Sequence, residues 1–435
     1  MRKQITAIIL LAGTIVSFGQ TSTEQYNTYS PYSIFGVGQK RFNGTSETQS
    51  MAGIGIAYTP VGATNAVNPA SLTEIRQTVY TLGATFEAIN YKEGRFQKGS
   101  SNDMYFDYLV LSVPLSAKSG VSFGVAPYSV TGYSIYSRDS TIVDGSYKET
   151  LDYYSGNGGL NMVYLAAGYQ IVKNLSIGVN AAYLFGTIDR TSYNAVEDRL
   201  LQTKVTESNW VNGFKFKFGL NYSMALKEET RLYMGATYEM SAGMKNDRTY
   251  RVFTVSSYDD EYDPENPQNE EAKSTKNFDL PWTLGVGIGA GNLKKWYVGL
   301  EGEYTAEPDY VNVDFTRTEA DYQSGIRIAL GGNYTPQYNS INSYFKRVRY
   351  QAGVYYKREN YIVRNTDIYD QGLTLGAILP MTKVDSQTMS ISNLNIFVNY
   401  GMMGKSGMGL VKEKYFKIGL SFSLNDRWFL KQRYF

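Results

Sequence analysis

Alternation constrains this chain more than any other feature. From Thr78 onward, segments of roughly ten residues recur in which apolar and small or polar residues take turns, the period-2 signature of a strand with two unlike faces. In 175–185 one face is Leu175, Ile177, Val179, Ala181, Tyr183 and Phe185, and the other is Ser176, Gly178, Asn180, Ala182 and Leu184. In 214–224 the apolar face Phe214, Phe216, Phe218, Leu220, Tyr222 and Met224 opposes Lys215, Lys217, Gly219, Asn221 and Ser223. Phe416, Ile418, Leu420 and Phe422 oppose Lys417, Gly419, Ser421 and Ser423 in the same way.

The pattern predicts fourteen strands, at 78–90, 105–115, 120–135, 158–170, 175–188, 212–226, 231–240, 279–290, 296–305, 324–335, 347–357, 371–380, 393–401 and 414–424. Over most of the chain, short connections alternate with long ones. That asymmetry, with an even strand number, belongs to a transmembrane antiparallel β-barrel with short periplasmic turns and long external loops. The alternative is a soluble sandwich, whose strands average about five to six residues. The segments here approach the nine to eleven residues, roughly, that a tilted strand needs to cross a bilayer of about 30 Å. A closed barrel also leaves no sheet edge unpaired in lipid. Tyr91, Tyr105, Tyr133, Tyr136, Tyr297, Tyr304, Tyr334 and Tyr356 lie near segment ends, where an aromatic girdle is expected.

Composition removes most enzyme chemistry. The chain has no Cys and no His, so it holds no imidazole base, thiolate nucleophile, disulfide or iron-sulfur ligand set. The count of 42 Lys plus Arg against 40 Asp plus Glu gives no bulk attraction for nucleic acid. Arg2 and Lys3 precede an apolar stretch ending near Phe18, which reads as a secretory signal over 1–19. No later run of apolar residues is long enough for a membrane helix. The expected organisation is therefore signal peptide 1–19, an N-terminal segment 20–77, and a barrel over 78–435.

Segment 20–77 does not alternate. It contains apolar residues that a position inside the barrel lumen would bury, as a hatch or plug. Met51-Ala-Gly-Ile-Gly-Ile-Ala57, then Asn68-Pro69-Ala70 just before the first strand, resembles the FadL/TodX group of outer-membrane transporters for hydrophobic compounds, to which PorV-type barrels are related. Tyr29-Ser-Pro-Tyr-Ser-Ile-Phe-Gly-Val-Gly38 resembles the Bacteroidetes branch of that group. The resemblance covers nearly the whole mature chain in layout and only these short motifs in detail. It implies passive uptake of long-chain fatty acids or aromatic hydrocarbons in the outer membrane of a Gram-negative bacterium. It also implies a hatch, with Asn68, Pro69 and Ala70 close to a kinked third strand where the ligand leaves sideways into the bilayer. The third candidate strand does carry Pro127 in its middle, with Gly124 and Gly132 on either side to permit a kink. Proline cannot donate to a ladder and marks a local break. The alternative role is that of a PorV-type docking or shuttle component of type IX secretion.

The inward faces combine glycines, among them Gly219, Gly285, Gly287, Gly331, Gly353 and Gly376, with the charges Glu87, Lys215, Lys217, Glu301, Glu303, Arg327 and Arg349. Those charges are read as holding the hatch in place rather than as a ligand site. Glu301 and Glu303 have the composition of a glycosidase acid pair, but alternate positions on a lumen face are commonplace. The glycines of 285–291 recur at period 2 within a strand and form no phosphate loop. The acidic stretch 259–271 reads as a solvated external loop, with weak divalent-cation binding at the lipopolysaccharide surface as the sharper alternative. Phe435, the terminal aromatic, fits the signal that barrel-assembly machinery recognises during insertion. A monomer is expected, in contact with outer-membrane lipid and lipopolysaccharide, with no enzyme activity and no cofactor.

Overall fold

The computed structural model describes residues 30–426, apart from 42–43, 61, 95–96, 144, 228, 311–319, 382–390 and 408. The signal segment 1–19 and Phe435 lie outside the described residues.

The strands are Thr78–Glu93 (β1), Gln97–Ser116 (β2), Ser119–Val143 (β3), Ser146–Val172 (β4), Leu175–Val196 (β5) and Gln202–Ala225 (β6). Arg231–Glu239 and Ala242–Val255 together make β7, and Glu270–Leu280 and Thr283–Asn292 make β8. Trp296–Thr305 is β9; Ala320–Tyr322 and Gly325–Tyr334 make β10; Arg349–Val363 is β11, Thr366–Pro380 β12, Ile391–Met403 β13 and Val411–Asp426 β14. Neighbours in sequence pair antiparallel, and β14 closes on β1 from Val411↔Glu93 to Asp426↔Thr78. The result is a closed fourteen-stranded barrel, strand for strand the set that the alternation predicts.

The apolar faces point outward. Phe214, Phe216, Phe218 and Leu220 on β6, Leu284, Val286 and Ile288 on β8, and Phe416, Leu420 and Phe422 on β14 are all exposed. Lys215 and Ser421, one step out of phase, are buried. In water so large an apolar surface would be unstable; a bilayer covers it. No described helix is long and apolar enough to cross a membrane.

Two expectations are corrected. The long external connections are largely ladder, with β3 and β4 paired out to Val143↔Ser146, β5 and β6 out to Asn194↔Thr203, and β7 and β8 out to Val252↔Glu270. Outside the membrane neither face meets lipid, so these hairpins carry no regular alternation to reveal them. The girdle is also only partly outward. Tyr136, Tyr304, Tyr334 and Tyr356 are exposed, whereas Tyr133 and Tyr297 are buried. Tyr297 shares the inward parity of Glu301 and Glu303, and its ring rests on Gly289 and Gly299 and against Tyr58 at 4.9 Å.

The acidic stretch 259–271 is a run of turns leading into β8. Asp260 accepts from Ser256 N and Oγ and Ser257 N, which holds its carboxyl below the ordinary value. Glu271 pairs with Arg251 at 2.6 Å and Lys273 at 2.8 Å. Among the described residues no group of three carboxylates could hold a metal ion.

Candidate functional site at a break in the barrel wall

The ladder between β2 and β3 runs from Ser116↔Ser119 only to Leu109↔Val125. Above that point β2 still pairs with β1 out to Gln97, and β3 with β4 out to Val143, but no β2–β3 partners continue among the described residues. Pro127 stands two residues past the last pair, where no β2 partner is found among the described residues and a residue without an N–H is tolerated. On the β4 side the register slips between Pro127 and Ser129, so Tyr128 is bulged. The glycines that accommodate the bend lie across the ladder. Gly158 and Gly159 have φ of 106° and 141°, and a Cβ on Gly159 would fall inside 3.0 Å of the Ser129 carbonyl. Gly124 and Gly132 have no positive φ; Gly124 instead seats the Tyr164 ring, and Gly132 exchanges hydrogen bonds of 3.0 Å with Ser33 Oγ.

Behind the break lies the N-terminal segment. Gln39 and Lys40 pair as a short strand with Val130 and Ser129, Arg41 N donates to Tyr128 O at 3.0 Å, and Ser129 Oγ donates to Val37 O at 2.6 Å. The Asn68-Pro69-Ala70 motif is elsewhere. Asn68 caps the turn Pro69–Glu74, its Oδ1 accepting from Ala70 N at 3.0 Å and its Nδ2 donating to Ile56 O at 2.7 Å. Pro69 and Ala70 rest on Gly168, Gly178 and Gly219 of β4, β5 and β6. Gly168 is seven residues from Asn161, the partner of Pro127, which is roughly 23 Å along the strand at about 3.3 Å per residue. The structure therefore separates Asn68, Pro69 and Ala70 from Pro127 and brings residues 37–41 to the break instead.

The inward glycines form seats for this segment. A Cβ on Gly235, Gly331, Gly353 or Gly376 would come within 3.0 Å of Ile56, Met51 or Ser50. Met51, Ile54, Ile56 and Leu72 are fully buried by this fit, each contributing about 1.5–3 kcal/mol.

The predicted charges are bound to the segment or to one another. Glu301 accepts from the backbone N–H groups of Gly55, Ile56 and Ala57 at 3.0, 2.7 and 3.0 Å. Arg349 pairs with Glu47 at 2.8 Å, and Tyr58 donates to the same carboxylate at 2.8 Å. Arg327 joins Glu303 at 3.2 Å and the Ala52 carbonyl. Lys215 and Lys217 each meet Glu239 at 3.0 Å, and Glu87 meets Arg41 at 2.6 Å and Lys417 at 2.8 Å. Glu301 and Glu303 thus have separate partners and do not face one another as an acid pair. Arg41, Glu47 and Glu239 are the partners that sequence reasoning missed. An unpaired charge is costly inside a barrel, so the charges Arg41 and Glu47 within a buried, apolar-rich segment were the available signal.

A cavity of about 300 Å³ lies between the segment and the upper wall, lined by Arg41, Glu87, Glu303, Arg327 and Lys417 together with Tyr128 and Tyr355. A family model described as BamG matches residues 1–435. The chain belongs to the BamG family. No curated protein matches it. Among solved structures it is similar to the CymD monoaromatic hydrocarbon channel, at 14% identity and TM-score 0.55, covering 90% of this chain and 98% of that one. The Ralstonia pickettii toluene transporter TbuX matches at 12% identity and TM-score 0.54, with 87% and 97% covered. A Pseudomonas aeruginosa FadL homologue matches at 12% and 0.54, with 89% and 98% covered. At such identities the likeness is one of fold, and the fold of this BamG-family chain is FadL-like.

Proposed function

We propose that this protein is an outer-membrane barrel for passive uptake of an apolar small molecule, a long-chain fatty acid or an aromatic hydrocarbon, which leaves sideways through the break beside Pro127. The observation that carries this is the end of the β2–β3 ladder at Leu109↔Val125, with apolar side chains exposed around it, Phe123 on β3 and Met104 and Phe106 on β2. The fold shared with hydrocarbon channels supports the same reading. In it, the N-terminal segment acts as the hatch, Pro127 keeps the break open, and Asn68, Pro69 and Ala70 anchor the hatch at the periplasmic end rather than lining the exit. The lumen charges hold the hatch and touch no cargo. Uptake of labelled fatty acid and of labelled toluene by cells carrying wild type or Pro127→Val tests it. A valine restores the missing donor, and uptake is expected to fall severalfold; unchanged uptake would remove the lateral exit.

A second reading is favoured by the cavity lining, whose ion-paired arginines, lysines and glutamates offer little to an apolar molecule. Here the barrel stays shut and serves as a docking or shuttle component of secretion. Copurification of a stoichiometric secretion cargo, with no uptake phenotype on deletion, selects this reading over transport.

A further inference from the structure

Residues 39–41 touch both sides of the wall break by different means. Towards β3 the contact is backbone: Gln39↔Val130, Lys40↔Ser129, and Arg41 N to Tyr128 O at 3.0 Å. Towards β1 and β2 it is one side chain. The Arg41 guanidinium lies 2.6 Å from Glu87 on β1 and 3.4 Å from Asp103 on β2, and 3.9 Å from the centre of the Tyr105 ring, also on β2. Glu87 is held in turn by Lys417 of β14 at 2.8 Å. Both the Arg41 and the Glu87 side chains are only 6% exposed. The ladder between β2 and β3 is missing over this stretch, and this tripeptide supplies the cross-link that the ladder does not.

We infer that Arg41 is the latch of the lateral opening: its side chain ties the N-terminal strand 39–40, and through it β3, to β1 and β2, so that releasing Arg41 lets the two sides of the break part. This deepens the uptake reading and rests on it for its physiological meaning, although the latch itself is a statement about wall geometry. Three features support a latch over a purely structural ion pair. The pair spans a stretch over which β2 and β3 share no ladder among the described residues. The strand it holds is two residues long, too short to stay on an edge unaided. The guanidinium has a ring face and two carboxylates arranged around it, a fit that lysine or glutamine cannot reproduce.

The chain has no cysteine, so spin labels can be placed at will. Met104 on β2 and Tyr136 on β3 are both exposed, at 75% and 72%, and flank the break. Full-length protein in lipid nanodiscs, labelled at Met104→Cys and Tyr136→Cys, is expected to give a narrow distance distribution. Arg41→Gln is expected to add a longer population, raised about tenfold or more over wild type, as the loss of charge-assisted bonds implies. Arg41→Lys recovers only part of the narrow population. A Lys40→Cys/Ser129→Cys disulfide, measured with nitroxide-bearing unnatural amino acids at 104 and 136, should leave the longer population in Arg41→Gln, because it fixes the strand to β3 without restoring its tie to β1 and β2. If Arg41→Gln does not yield folded barrel, Asp103→Asn, which leaves Glu87 with Lys417, gives the smaller form of the same shift. Identical distributions in wild type and in the folded variant would overturn the latch. A shifted distribution with no uptake in any variant keeps the latch and removes the transport role instead.

Discussion

The lumen behind the membrane-facing wall and the external hairpins are built from the same kind of strand, yet they are held together by different means. Inside, glycines bring the backbone of residues 50–57 and 68–72 against the wall, and buried charges bind that segment through bonds such as Glu301 to three consecutive N–H groups. Outside, the hairpins formed by β3 to β8 rely on their own ladders and on exposed pairs such as Lys245 with Asp247 at 2.7 Å. A buried charge that loses its partner cannot turn to water, whereas an exposed one can. Substitutions of the same chemical kind should therefore have very different consequences in the two regions.

The contrast is broken most directly at Glu47. Removing it by Glu47→Ala strands Arg349 and the Tyr58 hydroxyl in the lumen, at an expected cost of about 3–5 kcal/mol. Urea unfolding in micelles, followed by tryptophan fluorescence, measures it; a loss below 1 kcal/mol, roughly the value of an exposed pair, would mean that water reaches this site. A smaller loss is expected at the seats. Gly235→Ala pushes a methyl into the Ile56 carbonyl and should cost about 1–3 kcal/mol, with faster proteolysis of the N-terminal segment in the folded barrel. Unchanged protease resistance would show that the segment is not held by this fit. The smallest effect belongs outside. Lys245→Ala should shift stability by only about 0.2–1 kcal/mol and lose even that in high salt; a larger shift would place the hairpin in a protected interface.

How much of this was readable follows the same division. The strands facing lipid were legible one by one because a bilayer forces apolar residues onto every second position, as in 214–224. The external continuation of β3 and β4 was not, because 137–143 and 146–153 carry no regular apolar alternation in the sequence. The lumen charges share the parity of Gly219, Gly285, Gly331 and Gly353, which the sequence shows by itself. Tyr297 shows parity neglected: its position in sequence suggested a girdle, while its phase with Glu301 already placed it inside. The expected closeness of Asn68–Ala70 to Pro127 failed because both features were located only along the chain, and height within a barrel is set by register.

What the sequence by itself determined was the in-out pattern and the strand number, since each follows from residues a few positions apart. Only the tertiary structure decided which inward group meets which. Glu47 and Arg349 are 302 residues apart, and Ser30 and Glu413 are 383 apart. Such pairs exist because closing the sheet brings distant strands around one narrow space, where every charge must find a partner or pay the full cost of leaving water. The same closure set the register that ends the β2–β3 ladder at Leu109 and Val125 and leaves Arg41 to span the opening.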